Sequence, residues 1–466
     1  MNSQHKFNNQ LFIKDKFHFC ADGFRHGSGN SIMRIQKFKS MRKILSISSI
    51  TMLGAALTFT SCELTNDNGE SLVSKNLSGT ISANTTWKDL GLPVDYIIDG
   101  TLYIDGNALV TVEAGVTIMF TGTNGGINVG ENAGFKIAGT AENPVVFTGP
   151  ANNLNKGAWD CISVDSRRAD NVWEYANFLN GGSGDGEFSS VIHVDGGKLG
   201  LKHCIIQGSA SNGIALEWEG AQLTAFEGNT ISGCEKYPMI IEQQTSYFCL
   251  EDNGNIFLPT NNNNVIALKN AGWSLDSDKD NTLIKMPVPY RFLGTLRLGG
   301  SQHFTIEAGT TIEMYSGCSL EIDDDVTFVA EGTATDLIKF IGDRDEKSYW
   351  GNIWYGSEKS ASSIKYVDFK NGGKGDAGDR LTAIFVIDNN SKLTMENCTF
   401  SETEGAGISI DNANEIPGVN ITGDTYSNCD EGNVRVSCEY WKEDAQEATI
   451  TENQKFDDFA AVKAVL

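Results

Sequence analysis

Proline is scarce in this chain, with eight residues in 466, and histidine is scarcer at six. No Cys-x-x-Cys pair occurs, which removes zinc-ribbon and thioredoxin-like readings. Basic residues number 36 against 60 acidic ones, a formal net charge of −24. A surface so acidic repels phosphate backbones, which argues against nucleic acid as a partner and against direct contact with anionic lipid. Long apolar runs are missing too. One stretch stands out, Ile44 to Phe59, and it is shorter than a comfortable membrane span. Helical periodicity of useful length is absent before Phe459 to Leu466. What the chain has in quantity is glycine, 50 residues, as many short strands joined by tight turns require.

Met41, Arg42 and Lys43 open a short basic region ahead of the apolar run, and the small residues Thr60 and Ser61 then precede Cys62. This arrangement resembles a bacterial lipoprotein signal, which implies cleavage after Ser61 and lipid attachment to Cys62. Phe59 stands where leucine is usual, and an ordinary cleaved signal with an incidental cysteine is the alternative. Residues 1–40 show no periodicity and are expected to precede the true start, at Met33 or Met41. Residues 41–61 are the signal and 62–71 a polar tether, in which Glu63, Asp67 and Glu70 loosely resemble the acidic tether of surface-exported lipoproteins. Residues 1–61 hold nine basic and two acidic side chains, so their removal takes the formal charge to −31. The expected location is the outer membrane, facing the cell surface or the periplasm, with membrane contact through the lipid alone. The expected state is a monomer.

The remainder carries one long segment twice. Thr111 to Ile118 reads TVEAGVTI, and Thr305 to Ile312 reads TIEAGTTI. Gly100 to Gly106 (GTLYIDG) answers to Gly294 to Gly300 (GTLRLGG), and Tyr175 to Gly182 (YANFLNGG) to Tyr366 to Gly373 (YVDFKNGG). His203 to Ile214 matches Asn397 to Ile408, and Gly228 to Cys234 matches Gly423 to Cys429. Such repetition fixes the architecture before any local assignment. Within each unit, short alternating runs such as Val116, Ile118 and Phe120 are split by AG, GG, NAG and DG turns. Three short strands for each 20-odd residues is what a coil of a β-solenoid needs. We place the first half at 72–262, the second at 263–456 and a cap at 457–466. Leu258, Pro259, Thr260 and the Asn261–Asn264 run mark the junction. Aliphatic residues resume at once with Val265, Ile266 and Leu268, so one continuous stack is expected.

The phrase TVEAGVTIMF…INV…FKIAGTAENPVVFTG and its partner TIEAGTTIEM…LEI…VTFVAEGTATDLIKFIG resemble the opening coils of right-handed parallel β-helix lipoproteins of Bacteroidetes. GAWDCISV and YWGNIWYG, each followed by NGG, fit the same resemblance. So do HCIIQGSASNGIAL, GNTISGC and NCTFSETEGAGISI. It covers about residues 72–450 and implies an all-β fold, a right-handed parallel β-helix of the pectate-lyase-like superfamily, in a family mostly of unknown function.

Catalysis on this fold resembles either pectate-type lyases or polygalacturonase-type hydrolases. The hydrolase series of NTD, paired Asp, GHG and RIK is absent. Lys198 and Lys202 near His203 are isolated candidates for a lyase base, and solvated strand residues are the simpler account. His193, His203 and His303 do not pair at metal-ligand spacing. The acidic glycine loops offer Asp185 and Glu187 in one half and Asp376 and Asp379 in the other as oxygen ligands for Ca²⁺. Gly/Asp turns are equally the default way to join strands. No other cofactor is implied. Asp323, Asp324 and Asp325 read as a run that blunts strand-to-strand aggregation. Cys204 and Cys234, like Cys398 and Cys429, fall one coil plus a loop apart. They are within reach of a disulfide, with stacked free thiols the favoured state.

Aromatic rings stack on pyranose faces, so tryptophans are the residues a sugar binder would use. Trp159 and Trp350 match between the halves and read as core. Trp354, Tyr355, Trp218, Trp273, Tyr440 and Trp441 are single-copy and read as an exposed binding strip. The favoured function is a lipid-anchored, non-catalytic scaffold presenting an elongated face to a polysaccharide or protein ligand. A polysaccharide lyase or glycoside hydrolase and an adhesin-like spacer are the alternatives. A localised function should sit where the halves disagree: Trp354–Tyr355, the 235–262 junction, and Tyr440–Trp441.

Overall fold

The computed structural model describes residues 73–242, 250, 253–269, 275–375, 381–387, 390–410 and 418–436. Within them 41 short strands and no α-helix are found. Every strand pairing among them is parallel, and outside the junction each strand stacks on the one three places earlier, as in Tyr96–Ile98 on Lys75–Leu77 and Thr117–Phe120 on Tyr96–Ile98. The chain is a right-handed parallel β-helix built from two duplicated halves.

Alternation sets which residues face inward. In Thr117–Phe120, Ile118 and Phe120 are buried while Thr117 and Met119 are only partly so; Thr311–Met314 repeats the pattern. The inward residues of successive coils form one core from Trp87 to Val434. Aromatic rings stack along its length. Phe147 lies over Phe178 at 4.9 Å between centroids, and their counterparts Phe340 and Phe369 stack at 5.5 Å, continuing to Phe400 and Tyr426 at 5.0 and 5.1 Å. Each such pair contributes about 0.5–1.5 kcal/mol beyond its buried area.

Corners are closed by residues in the left-handed region. Tyr175, Asn180 and His203 have φ of 50°, 61° and 53°, and their counterparts Tyr366, Asn371 and Asn397 have 50°, 66° and 56°. Buried amides satisfy the corner backbone from coil to coil: Asn229 Oδ1 accepts the Cys204 N–H at 2.9 Å, and Asn255 Oδ1 accepts that of Asn229 at 3.0 Å. The six described cysteines, Cys161, Cys204, Cys234, Cys318, Cys398 and Cys429, are free thiols. Burial pushes the Cys204 and Cys234 thiols up to about 12, so they act as small apolar groups.

The halves do not sit on one another in phase. The first has an eight-stranded sheet from Lys75–Leu77 to Ile256–Phe257, a six-stranded sheet from Thr85–Trp87 to Gln222–Glu227, and part of a 14-stranded sheet. That long sheet runs unbroken from Thr80–Ile81 to Thr425–Cys429. At the junction Ile266–Lys269 stacks on Met239–Glu242, then Tyr290–Phe292 stacks on Ile266–Lys269. Tyr290–Phe292 is the counterpart of Tyr96–Ile98, which belongs to the eight-stranded sheet. The second half is therefore advanced by one face, about a third of a turn. Its remaining strands form a seven-stranded sheet from Leu275–Asp276 to Val434–Val436 and a six-stranded sheet from Asn281–Leu283 to Val419–Thr422.

Candidate functional site: an aromatic cleft on the second half

On the outside of the seven-stranded sheet the outward positions of successive strands line up as Arg297, Glu321, Trp354 and Phe385. Trp354 points outward because its neighbours Ile353 and Tyr355 take the two inward positions of a three-residue strand. Its ring is half-buried and meets the Phe385 ring edge-on at 5.3 Å and 84°. Around it lies a cleft of about 440 Å³ lined by Arg297, Glu321, Asp323, Asp324, Trp354 and Ile387, with Ile322 and Gly356 behind them. Gly356 keeps the back wall close, since a Cβ there would lie 2.9 Å from the Ile322 carbonyl oxygen.

The guanidinium of Arg297 is engaged by Asp323. Its Nε lies 3.2 Å from Oδ1 and its terminal nitrogen 3.2 Å from Oδ2. Glu321 is half-buried, whereas Asp324 is exposed and accepts the Asp325 N–H at 2.8 Å. Lys359, the nearest cation along the loop, is spent on Asp325 at 2.5 Å. The cleft thus combines one half-buried aromatic ring, one neutralised cation and a surplus of carboxylates. In the first half the counterparts of Arg297, Glu321 and Trp354 are Tyr103, Asn128 and Ser163, so the site is single-copy.

A second polar centre lies on the outside of the 14-stranded sheet at the seam between halves. Arg291 gives Nε and a terminal nitrogen to Glu313 Oε2 at 2.8 and 2.6 Å, and another N–H to Asn263 Oδ1 at 3.1 Å. Asp343 Oδ2 stands 4.0 Å from the same guanidinium. Burial first, and then a hydrogen bond to Asp343, push the Tyr349 phenol up to about 12. The counterparts of Arg291, Glu313 and Asp343 are Ile97, Met119 and Pro150, apolar in the first half. Sequence reading missed these three. The signal was a charge at a position that is apolar in the other copy, and it became meaningful only once the faces were known.

Of the expected aromatic strip, Trp354 lies in the cleft. Tyr355 does not: it is fully buried, its hydroxyl donates to the Lys392 carbonyl at 2.6 Å, and burial pushes its phenol up to about 12. Adjacent residues in a strand face opposite ways, so the pair could not both be outside. Trp218 is 58% exposed in a corner turn of the first half, with φ of 67° and its N–H on Glu242 Oε2 at 2.7 Å. It does not line the cleft. Trp273, Tyr440 and Trp441 lie outside the described residues. Trp159 and Trp350 are fully buried, as their recurrence suggested.

Asp185 and Glu187 are both exposed, and Glu187 is paired with Lys269 at 2.8 Å. Asp376 and Asp379, like Cys62, lie outside the described residues. Among the described residues no group of three acidic, histidine or cysteine side chains is placed to hold a metal ion. His193 Nε2 lies 2.9 Å from Glu217 Oε2, and His203 stacks on Tyr175 at a corner. No described helix is long and apolar enough to cross a membrane.

The fold defines a class of architecture, the parallel β-helix. Residues 79–191, within the first half, match the family model described as a pectate-lyase like beta helix domain. No curated protein and no solved structure matches the chain.

Proposed function

We propose that this protein is a glycan-binding β-helix of the cell envelope, held by a lipid on Cys62, that acts without catalysis. A pectate-lyase-like β-helix fits a carbohydrate-related or a structural role. The observation that favours carbohydrate is the cleft around Trp354. An aromatic ring beside hydrogen-bonding carboxylates matches a pyranose, whose C–H face stacks on the ring while its hydroxyls donate to the acceptors. Its volume falls in the usual range for small-ligand sites. Binding is favoured over lyase chemistry because a guanidinium held by Asp323 keeps its proton and is a poor base.

Isothermal titration with a panel of oligosaccharides, comparing the protein with Trp354→Ala, tests the reading. Loss of the ring should weaken binding on the order of tenfold, the equivalent of about 1.4 kcal/mol. Absence of any Trp354-dependent binding sinks it. Release of reducing or unsaturated ends in the same mixtures would favour the hydrolase or lyase alternative. Incorporation of labelled palmitate into the chain expressed in a bacterial host, and its loss in Cys62→Ala, tests the anchor. Protease shaving of intact cells separates the surface from the periplasm.

A further inference from the structure

The cleft's charge points to a particular kind of sugar. Three carboxylates, Glu321, Asp323 and Asp324, line it against one guanidinium, and Asp323 is already matched to that guanidinium. Among the described residues no lysine lines it, and Lys359 beside it is paired with Asp325. Two carboxylates therefore stand in excess, on a chain whose formal charge is −24. A uronate would bring a third negative charge into this field and be repelled. Glu321 and Trp354 are partners on adjacent strands, so their outward side chains start about 4.8 Å apart. An amine on a pyranose edge lies about 3 Å from the ring centre and a hydrogen bond adds about 2.8 Å, so a carboxylate one strand away is within its reach. A ring lying on Trp354 would place such an amine against Glu321, and the negative face of the indole favours a cation as well.

We propose that the cleft takes an amino sugar, its pyranose face on Trp354 and its ammonium against Glu321 and Asp324. This rests on the glycan-binding reading above and narrows it to cationic glycans.

The test is titration of the whole chain with four short oligomers of equal length: glucosamine, N-acetylglucosamine, glucose and galacturonate. The glucosamine oligomer should bind at least tenfold tighter than the acetylated and neutral ones, and the galacturonate weakest. Glu321→Gln should remove most of that preference, weakening the glucosamine oligomer several-fold more than the neutral one. Raising salt should narrow the gap. Equal or better binding of the neutral or acidic oligomers, lost in Trp354→Ala, overturns the inference and leaves the glycan-binding reading standing. Glucosamine binding that survives both Trp354→Ala and Glu321→Gln overturns it too, as a polycation collecting on an acidic surface. Failure of all four to bind in a Trp354-dependent way overturns the reading on which the inference rests.

Discussion

At the scale of single residues, the two copies differ in one buried corner with a measurable consequence. Asn229 satisfies the Cys204 N–H through Oδ1, and its amide donates to the Leu201 carbonyl at 3.0 Å. Its counterpart Asp424 accepts the Cys398 N–H at 2.7 Å, but its Oδ2 is buried without a partner. Burial, opposed by that one hydrogen bond, pushes the Asp424 carboxyl up to about 7 from the usual 3.8. Between those values the folded chain holds a proton that the unfolded chain has released. The group's contribution to stability is therefore present at acid pH and lost as pH rises through about 7, at up to roughly 1.4 kcal/mol per unit. Asp424→Asn should raise the melting temperature clearly at pH 8 and little at pH 4; melts of both proteins across that range show it. An equal gain at both ends would mean the carboxyl does not titrate there. Tyr355 and Trp354 make the opposite pair. Tyr355→Phe removes the bond to Lys392 and should cost about 1 kcal/mol in denaturant unfolding while leaving glycan affinity intact. Trp354→Ala should reverse that balance, and a Tyr355→Phe protein that no longer binds sugar would contradict the placement of its ring in the core.

At the scale of elements, the recurring Asn-Gly-Gly is explained by the tryptophan that precedes it by about 20 residues. Trp159 lies on Phe120 at 4.5 Å and donates its Nε1–H to the Leu179 carbonyl at 2.8 Å; Trp350 does the same to Lys370 at 2.7 Å. The indole lies against the first glycine of each motif. A Cβ on Gly181 would sit 2.6 Å from Trp159, and one on Gly372 would sit 2.7 Å from Trp350. Asn180 and Gly182 take up the left-handed backbone on either side, with φ of 61° and 76°. Gly181→Ala should therefore cost about 1–3 kcal/mol by overpacking. The cost should shrink in a Trp159→Phe background, because the clashing atoms belong to the six-membered side of the indole. A double-mutant cycle by chemical denaturation reads the coupling, and additive costs would mean that the glycine is needed only for its backbone. This much of the fold was legible in the sequence. Alternation in TVEAGVTIMF gives the inward side, and a Trp recurring with NGG marks a shared packing unit. The cleft was half legible. Trp354 stood out as single-copy, but Glu321 is ordinary in the sequence, and Asp323 read as part of an acidic run that blunts aggregation. They become a site only because the parallel register sets Arg297, Glu321 and Trp354 on successive strands.

At the scale of the whole molecule, the sequence offset of about 194 residues hides a rotation. Two identical units could stack in phase only if the junction spanned a whole number of turns. Between Met239–Glu242 and Ile266–Lys269 the chain returns to the long sheet, yet Ile266–Lys269 opens the second unit, whose first strand belonged to a different sheet in the first. Counterpart residues such as Phe147 and Phe340 consequently point into the core from different sides of the helix. Nothing in the aligned strings reports this, because the phase depends on which sheet each strand joins and not on the sequence offset. The Arg291 centre sits at that seam, tying Asn263 to Glu313 across three coils, with side chains of Arg291 and Glu313 only 16% and 19% exposed. A solenoid is held by nearest-neighbour interfaces, so weakening one should loosen the stack locally before the ends. Arg291→Met leaves Glu313 half-buried without its partner and should cost about 3 kcal/mol. Hydrogen exchange should then quicken in Ile266–Lys269, Tyr290–Phe292 and Thr311–Met314, while Tyr96–Ile98 and Thr117–Phe120, built from the same repeat without the arginine, stay protected. Uniform loss of protection from end to end would instead mean that the two halves unfold as one cooperative body and that the seam is no weaker than the coils around it.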